Sequence, residues 1–357
     1  MSTLVPISVV LPVYNGERFL AEALDSILAQ TFGDFELITV NDGSTDGSLA
    51  ILQTYATRDP RLRIITRPNT GVARSRNEGL AAAQGELIAW MDADDVARPE
   101  RFRRQYQFLQ KNGSIGAVGA AFQAVDETGA CIGAPKIFPS KPGVIHKDLQ
   151  RGSCVMAQTL VMARREALRR VGGYRGLFTP AEDYDFWLRL SEVAELANLP
   201  DVLQLYRIHS QSLSMKYAFA QALGTEVARR AGNIRRRTGI DPVRGEESVT
   251  PELQARVGMS AEEVDLLRGN TLRCMASNHL LRGNLSAARV SIAEYEGASI
   301  APWVRQRLAP EFELLQARIR KMQGNRMAMV SGTARICLRH PMFLFELIAK
   351  LLRRLRR

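Results

Sequence analysis

Asp92-Ala93-Asp94 places two carboxylates two residues apart, directly after the apolar run Glu86 to Met91. Hard divalent cations such as Mg²⁺ or Mn²⁺ take oxygen ligands of this kind and keep water or substrate phosphates as the rest of their shell. A metal held there would neutralise a diphosphate as its bond breaks. The same residues would equally make a loop with candidate N-caps for the next helix. Glu182 and Asp183 open an amphipathic helical pattern, where the helix dipole alone accounts for carboxylates. The chemical alternative is a general base that takes a proton from an acceptor hydroxyl. Asp42, within Asn41-Asp42-Gly43-Ser44-Thr45-Asp46, could accept hydrogen bonds from a base or ribose, and Ser44, Thr45 and Asp46 read as turn and cap residues. Arg74 and Arg76 lie near a predicted helix start, where a pyrophosphate would be welcome. They are two positions apart and do not share a helix face, so only one of them is expected to reach a site. His209, in Tyr206-Arg207-Ile208-His209, is a metal or phosphate contact or a structural histidine.

These residues need a scaffold that brings distant segments to one rim. Ile7 to Leu11 is a continuous β-branched run, as expected of a buried strand. Leu20, Leu24, Ile27 and Leu28 recur at helical spacing within Glu17 to Gln30. Phe35 to Val40, Leu62 to Thr66 and Glu86 to Met91 read as strands, and Ser48 to Tyr55 and Gly71 to Ala83 as helices. Strands alternating with helices predict parallel βαβ units with helices on both faces, and ligands in such sheets bind beyond the carboxyl ends of the strands. Pro12-Val13-Tyr14-Asn15-Gly16, the Asp42 cluster and Asp92 to Asp95 all sit at such ends. Further on, Ile115 to Phe122 and Val202 to Ile208 read as extended, Asp126 to Gly129 as a turn, and Asp183 to Val193 as helix. After about residue 215 strand-like runs vanish and Arg-, Glu-, Ala- and Leu-rich helical patterns take over. The organisation expected is a catalytic α/β domain over 1–215, a helical region over 216–334 and a basic amphipathic tail over 335–357.

The 357 residues are 46% hydrophobic and 24% charged, which suits a globular fold and excludes a disordered chain. The net charge is +11, but the tail from Arg335 holds seven Lys or Arg against one Glu, about +6 of that total. A globally basic nucleic-acid coat is therefore not indicated. Cys131, Cys154, Cys274 and Cys337 form no CxxC pair, and the four histidines are dispersed, so neither a zinc cage nor a disulfide framework is expected. No signal peptide and no uncharged apolar stretch of about 18 residues is read, which makes a cytoplasmic location the expectation.

Taken together, the clusters resemble the family 2 glycosyltransferases, the inverting group with the GT-A fold. The likeness runs in order from Ile7–Asn15 through Val40–Asp46, Asn69-Thr70-Gly71 with Arg76-Asn77, and Asp92–Asp95. It continues at Val171-Gly172-Gly173-Tyr174 and ends at Glu182-Asp183 and Arg207-Ile208-His209, so it covers roughly residues 5 to 212. The resemblance implies a mostly parallel central sheet with helices on both faces, followed by a helical C-terminal region. It implies that Asp183 is the catalytic base with Glu182 beside it. Pro12, Tyr14, Asn15, Asp42, Arg76, Asp92 and Ala93 would bind the nucleotide sugar, and Asp94 and His209 a divalent cation, Mn²⁺ or Mg²⁺. The expected donor is a nucleoside-diphosphate sugar, a UDP-sugar first, and the acceptor a saccharide or lipid-linked saccharide in surface polysaccharide or glycolipid synthesis.

Two other readings make different demands. A sugar-phosphate nucleotidyltransferase needs a glycine-rich phosphate loop, and Val13 to Phe19 contains only Gly16. A basic nucleic-acid-binding protein would rest on Arg229-Arg230 and Arg235-Arg236-Arg237, with no recognition motif beside them. As a helix, Pro341 to Arg357 would set Leu344, Leu347, Ile348, Leu351, Leu352 and Leu355 on one face and Lys350, Arg353, Arg354 and Arg357 on the other. Such a helix would lie on an anionic membrane surface, placing the enzyme peripherally on the inner face of the cell membrane; it could equally pack on the protein itself.

Overall fold

The first strand, β1 (Ile7–Val13), is buried almost along its length because Ile7, Val9, Val10, Leu11 and Val13 serve both faces of the sheet. In the computed structural model, which describes residues 5–209, 217–281, 283–325 and 327–340, the chain then alternates helices and strands. They are α1 (Glu17–Leu28), β2 (Phe35–Asp42), α2 (Ser48–Arg58), β3 (Leu62–Arg67), α3 (Val72–Ala82) and β4 (Leu87–Trp90). Next come β5 (Val96–Ala97), α4 (Arg101–Lys111), β6 (Ile115–Val125), α5 (Pro142–Gln150), β7 (Met162–Arg164), α6 (Arg165–Val171), α7 (Glu182–Leu190), β8 (Glu195–Arg207) and α8 (Ala218–Thr238).

The eight strands form one sheet in the order β3-β2-β1-β4-β7-β6-β8-β5. β3, β2, β1 and β4 are mutually parallel. The second half is mixed: β7 runs antiparallel to both β4 and β6, β8 pairs parallel with β6, and the short β5 pairs antiparallel with β8. The parallel half is the βαβ array that the spacing of apolar runs predicts. β8 begins at Glu195, well before the extended run expected from Val202.

Close packing of helix on sheet has a local cause. A Cβ on Gly79 of α3 would lie 2.3 Å from Val10 Cγ1, so only glycine lets this helix approach β1. The main core joins Val9, Leu11, Leu20, Leu24, Leu37, Leu52, Met91, Phe102 and Val118. The turn predicted at Asp126 to Gly129 is present: Thr128 N and Ala130 N donate to Asp126 Oδ1, and Gly129 takes φ 86°.

Chain contacts divide the protein into Met1–Leu253 and Gln254–Arg357, so α8 belongs with the sheet although composition changes near residue 215. The second unit is helical: Ala261–Leu281, Leu285–Gly297, Pro302–Met322 and Ala328–Arg339. Its core stacks Tyr295 on Phe312, 3.6 Å between ring centroids, among Leu272, Ile292, Leu308 and Leu315. Asn284 caps one helix by accepting from Ala287 N at 3.1 Å. The amphipathic pattern expected over 341–357 lies outside the described residues. Among the described residues no helix is long and apolar enough to cross a membrane.

Candidate active site

The loops after β1 and β2 lock onto each other. Asn15 sits in the left-handed region at φ 49° and accepts from Thr45 N at 2.8 Å. Asn15 N donates to Ser44 Oγ, Gly16 N to Ser48 Oγ, and Glu17 N to Asp46 Oδ2. Asp46 also accepts from Ser48 N at the start of α2, so one carboxylate serves the first turns of two helices. Burial works against ionisation of Asp46, but these hydrogen bonds outweigh it and hold its carboxyl below the usual range. Tyr14 is left as an exposed aromatic on the rim, 54% accessible.

Asp42 is buried at the end of β2. Its two oxygens accept from Thr70 N at 3.0 Å and Gly71 N at 2.9 Å, and Arg67 Nε lies 3.5 Å away. The carboxylate therefore ties the β2 end to the loop that starts α3. Each oxygen keeps a further lone pair for a ligand.

The Asp92–Asp95 loop leaves β4 on a polar frame. Asp92 N donates to Thr159 Oγ1 at 2.9 Å. Asp95 is buried and accepts from Gln204 Nε2 at 2.7 Å and from Arg207 N at 2.9 Å. Burial, then the neighbouring Asp94 and Asp92 charges, push its carboxyl well up. Arg207 holds the loop further: its Nε donates to Asp94 O at 2.9 Å, and its guanidinium lies 4.5 Å from the Phe19 ring. The Asp92 and Asp94 side chains remain about a third exposed, at 32% and 34%.

Asp94 Oδ2 and His209 Nε2 are 2.8 Å apart. The two are within hydrogen-bond distance of each other, and a carboxylate oxygen and an imidazole nitrogen are donor atoms that a cation such as Mn²⁺ accepts. Among the described residues no three His, Cys, Asp or Glu are grouped closely enough to hold a metal by themselves. A site of this kind needs further ligands from water and substrate phosphate, the usual habit of ions that bind phosphate esters.

Arg76 joins this loop to α7. Its Nη1 donates to Glu182 Oε1 at 2.7 Å and its Nη2 to Asp92 Oδ1 at 3.3 Å. Burial disfavours the guanidinium charge, but Asp92 and Glu182 outweigh that and hold the group firmly cationic. Arg74, its neighbour in sequence, is exposed. Of the two arginines, only Arg76 faces these carboxylates. The α7 start is buttressed by aromatic packing: Tyr174 stacks on Phe186 at 4.1 Å, and Trp90, just before the Asp92 loop, meets Tyr174, Phe186 and Trp187 edge-on. Asn77 clamps the Tyr174 peptide, donating to Tyr174 O at 2.8 Å and accepting from Tyr174 N at 2.7 Å. A Cβ on Gly173 would lie 2.5 Å from Asn77 Oδ1, which is why the Gly-Gly-Tyr sequence needs its second glycine.

Asp183 is partly exposed, with Oδ1 accepting from Tyr184 N at 2.7 Å. Burial, then the Glu182 charge, raises its carboxyl to about 6, against the lowering effect of Arg76. A carboxylate poised there is ionised at neutral pH and basic enough to take a proton. Glu182 is buried, and its second oxygen has no partner.

The structure thus brings Arg76, Asp92, Asp94, Glu182 and His209 into one connected cluster, with Asp183 beside Glu182. Pro12, Tyr14, Asn15 and Asp42 sit at the neighbouring strand ends, and Ala93 lies between the two aspartates. Thr159, Gln204 and Arg101 are absent from the sequence reading, because nothing in their immediate sequence marks them. On α8, Arg229 and Arg230 pair with Glu226, and Arg235 and Arg236 with Glu192. Four of the five arginines in the runs that suggested nucleic acid thus have acidic partners on the protein itself.

Residues 8–172 match the sequence profile of Glycosyl transferase family 2. The chain is 34% identical over 210 residues to the O-antigen biosynthesis glycosyltransferase WbnJ of Escherichia coli, which covers 58% of this chain and 81% of that protein. It is 31% identical over 223 residues to an uncharacterized glycosyltransferase of Haemophilus influenzae, covering 60% of this chain and 69% of the relative. The fold is similar to that of Staphylococcus aureus TarS 1–349 in complex with UDP-GlcNAc, with TM-score 0.51 at 19% identity over 82% of this chain and 91% of that one. It is equally similar to the mannosyltransferase PcManGT of Pyrobaculum calidifontis in complex with GDP-Man and Mn²⁺, with TM-score 0.51 at 18% identity over 94% and 87%. The fold is the GT-A fold, and the chain belongs to the family 2 glycosyltransferases.

Proposed function

We propose that the protein is an inverting glycosyltransferase that moves a sugar from a nucleoside-diphosphate sugar to an acceptor hydroxyl in surface polysaccharide or glycolipid synthesis. The observation that carries this reading is the Arg76 bridge. It joins Asp92, on the loop suited to a metal and diphosphate, to Glu182, the neighbour of a carboxylate poised near neutrality. Pro12, Tyr14, Asn15, Asp42, Arg76, Asp92 and Ala93 bind the donor, with Tyr14 offering an apolar face at the rim. A UDP-sugar is the first candidate, since TarS was solved with UDP-GlcNAc. PcManGT with GDP-Man makes a GDP-sugar the second.

Asp183 takes the proton of the acceptor hydroxyl as its oxygen attacks the anomeric carbon. The bond from that carbon to the diphosphate oxygen breaks on the opposite face, its electron pair leaves with the nucleoside diphosphate, and configuration inverts. Glu182 keeps Asp183 basic, and Arg76 holds Glu182 and Asp92 in register. Mn²⁺ or Mg²⁺, held by Asp94 and His209, would supply charge neutralisation for the departing diphosphate. A peripheral position on an anionic membrane surface through 341–357 suits a lipid-linked acceptor. A panel of UDP- and GDP-sugars, assayed for nucleoside-diphosphate release with Mn²⁺ or Mg²⁺, tests the reading. Metal-dependent release from at least one donor is expected; release from none would reject it.

A further inference from the structure

Arg101, on α4, is completely buried and, among the described residues, has no carboxylate in direct contact. Its Nη1 donates to Gln204 Oε1 at 2.7 Å and its Nη2 to Trp90 O at 2.6 Å. Gln204, also completely buried, uses the other end of its carboxamide: Nε2 donates to Asp95 Oδ2 at 2.7 Å and to Thr159 Oγ1 at 3.0 Å. Thr159 Oγ1 in turn accepts from Asp92 N. Buried Arg101 and buried Asp95 are thus joined through one amide rather than by contact, and the path of bonds ends on the backbone N–H of Asp92. A direct Arg101–Asp95 pair would hold the Asp92–Asp95 loop only at its last residue. The carboxamide and the hydroxyl add a hold on its first residue, Asp92.

We propose that Gln204 and Thr159 are positioning residues that couple buried Arg101 and Asp95 to the Asp92 backbone and so fix the donor- and metal-binding loop. The inference rests on the reading of Asp92 and Asp94 as donor and metal ligands. Gln204 Oε1 and Nε2 have no interchangeable role here, since one faces only a donor and the other faces acceptors. Arg207, three residues further along β8, holds Asp94 O by a separate bond, so the loop is pinned at both aspartates.

The test uses the full chain and three readouts. Thr159→Val keeps the shape of the side chain and removes the acceptor; Thr159→Ser keeps the acceptor. The first readout is the affinity for Mn²⁺ with UDP or GDP, whichever the wild type binds more tightly, measured by calorimetry. Thr159→Val is expected to weaken it about tenfold, the scale of a buried donor left unpaired, and Thr159→Ser to restore it to within about twofold. The second is amide exchange at Asp92, which should speed up in Thr159→Val and not in Thr159→Ser. The third is thermal stability; equal stability losses in Val and Ser variants, with wild-type affinity and Asp92 exchange in both, would overturn the proposal. Where Thr159→Val unfolds, Thr159→Ala supplies the same comparison with Thr159→Ser. Asp94→Ala separates the two levels. Lost binding there beside unchanged binding in Thr159→Val rejects the positioning role alone, and unchanged binding in Asp94→Ala rejects the donor-site reading and this inference with it.

Discussion

Replacing Glu182 by Gln should move the acidic limb of the pH–rate profile downward. Asp183 has a carboxyl raised from the usual 3.8 to about 6, first by burial and second by the Glu182 charge. A base must be ionised to act, so turnover rises with pH through about 6 and levels off above it. At about pH 5 roughly a tenth of the carboxylate is ionised, which puts the rate about tenfold below its plateau. Burial remains in Glu182→Gln, and so does Arg76, 2.7 Å from Glu182 Oε1 in the wild type. Removing the Glu182 charge, the second-largest raising influence, while burial and the Asp92 charge remain, should return about one pKa unit, moving the limb to about 5 and leaving about half of the plateau rate at that pH. Initial rates of transfer at saturating donor and metal across about pH 4.5 to 8.5 measure it, with Asp183→Asn as reference. A limb that stays at about 6 in Glu182→Gln would refute the electrostatic argument. A limb near 6 that persists in Asp183→Asn with a full plateau would show that another group is the base.

Other outcomes follow from the same geometry. Asp183→Asn should cut turnover by about 10² or more while leaving donor affinity within about twofold in calorimetry. The same variant should melt a few degrees higher at neutral pH. A folded carboxyl raised from 3.8 to about 6 means the native state binds the extra proton, so the wild type loses stability as pH rises through that window, and the amide loses none. Calorimetric scans at about pH 5 and pH 7.5 should show the gap widening with pH. Gly79→Ala should destabilise the sheet unit by about 1–3 kcal/mol in denaturant melts, because its Cβ would meet Val10 Cγ1 at 2.3 Å. If 341–357 is a surface anchor, truncation after Arg339 should abolish flotation with anionic vesicles and leave the weak flotation with neutral ones unchanged; equal flotation of both chains would remove the membrane from the account.

The parallel half of the sheet is legible because each strand and helix there carries its own period, as Leu20, Leu24 and Ile27 show on α1. The antiparallel half is harder. β5 is two residues long, and the early part of β8 mixes Glu195, Asn198 and Pro200 with apolar residues, so neither has a clean strand pattern. At the site, Asp92, Asp94, Glu182 and Asp183 announce themselves by type and by position at an element's end. Arg76 is visible as a residue, but that it spends its guanidinium on Glu182, 106 residues away, is a property of the packed fold. Thr159 and Gln204 are silent in the sequence for the same reason: a threonine in a 3-10 turn and a glutamine in a strand acquire meaning only where the strands cross. Asp42 shows the reverse case. Its position and the Asn69-Thr70-Gly71 turn are legible, whereas the bonds from Thr70 N and Gly71 N to its carboxylate follow from how the two segments meet in the fold.

Metal-assisted transfer from a nucleoside-diphosphate sugar at the Asp92–Asp94 loop is tested by comparing wild type and Asp94→Ala for nucleoside-diphosphate release from a panel of sugar nucleotides, with Mn²⁺ or Mg²⁺ and with chelator. The wild type should release nucleoside diphosphate from at least one donor, and chelator and Asp94→Ala should each abolish that release. Release by Asp94→Ala at the wild-type rate with unchanged metal dependence, or pyrophosphate release from a nucleoside triphosphate in its place, would contradict metal-assisted transfer there.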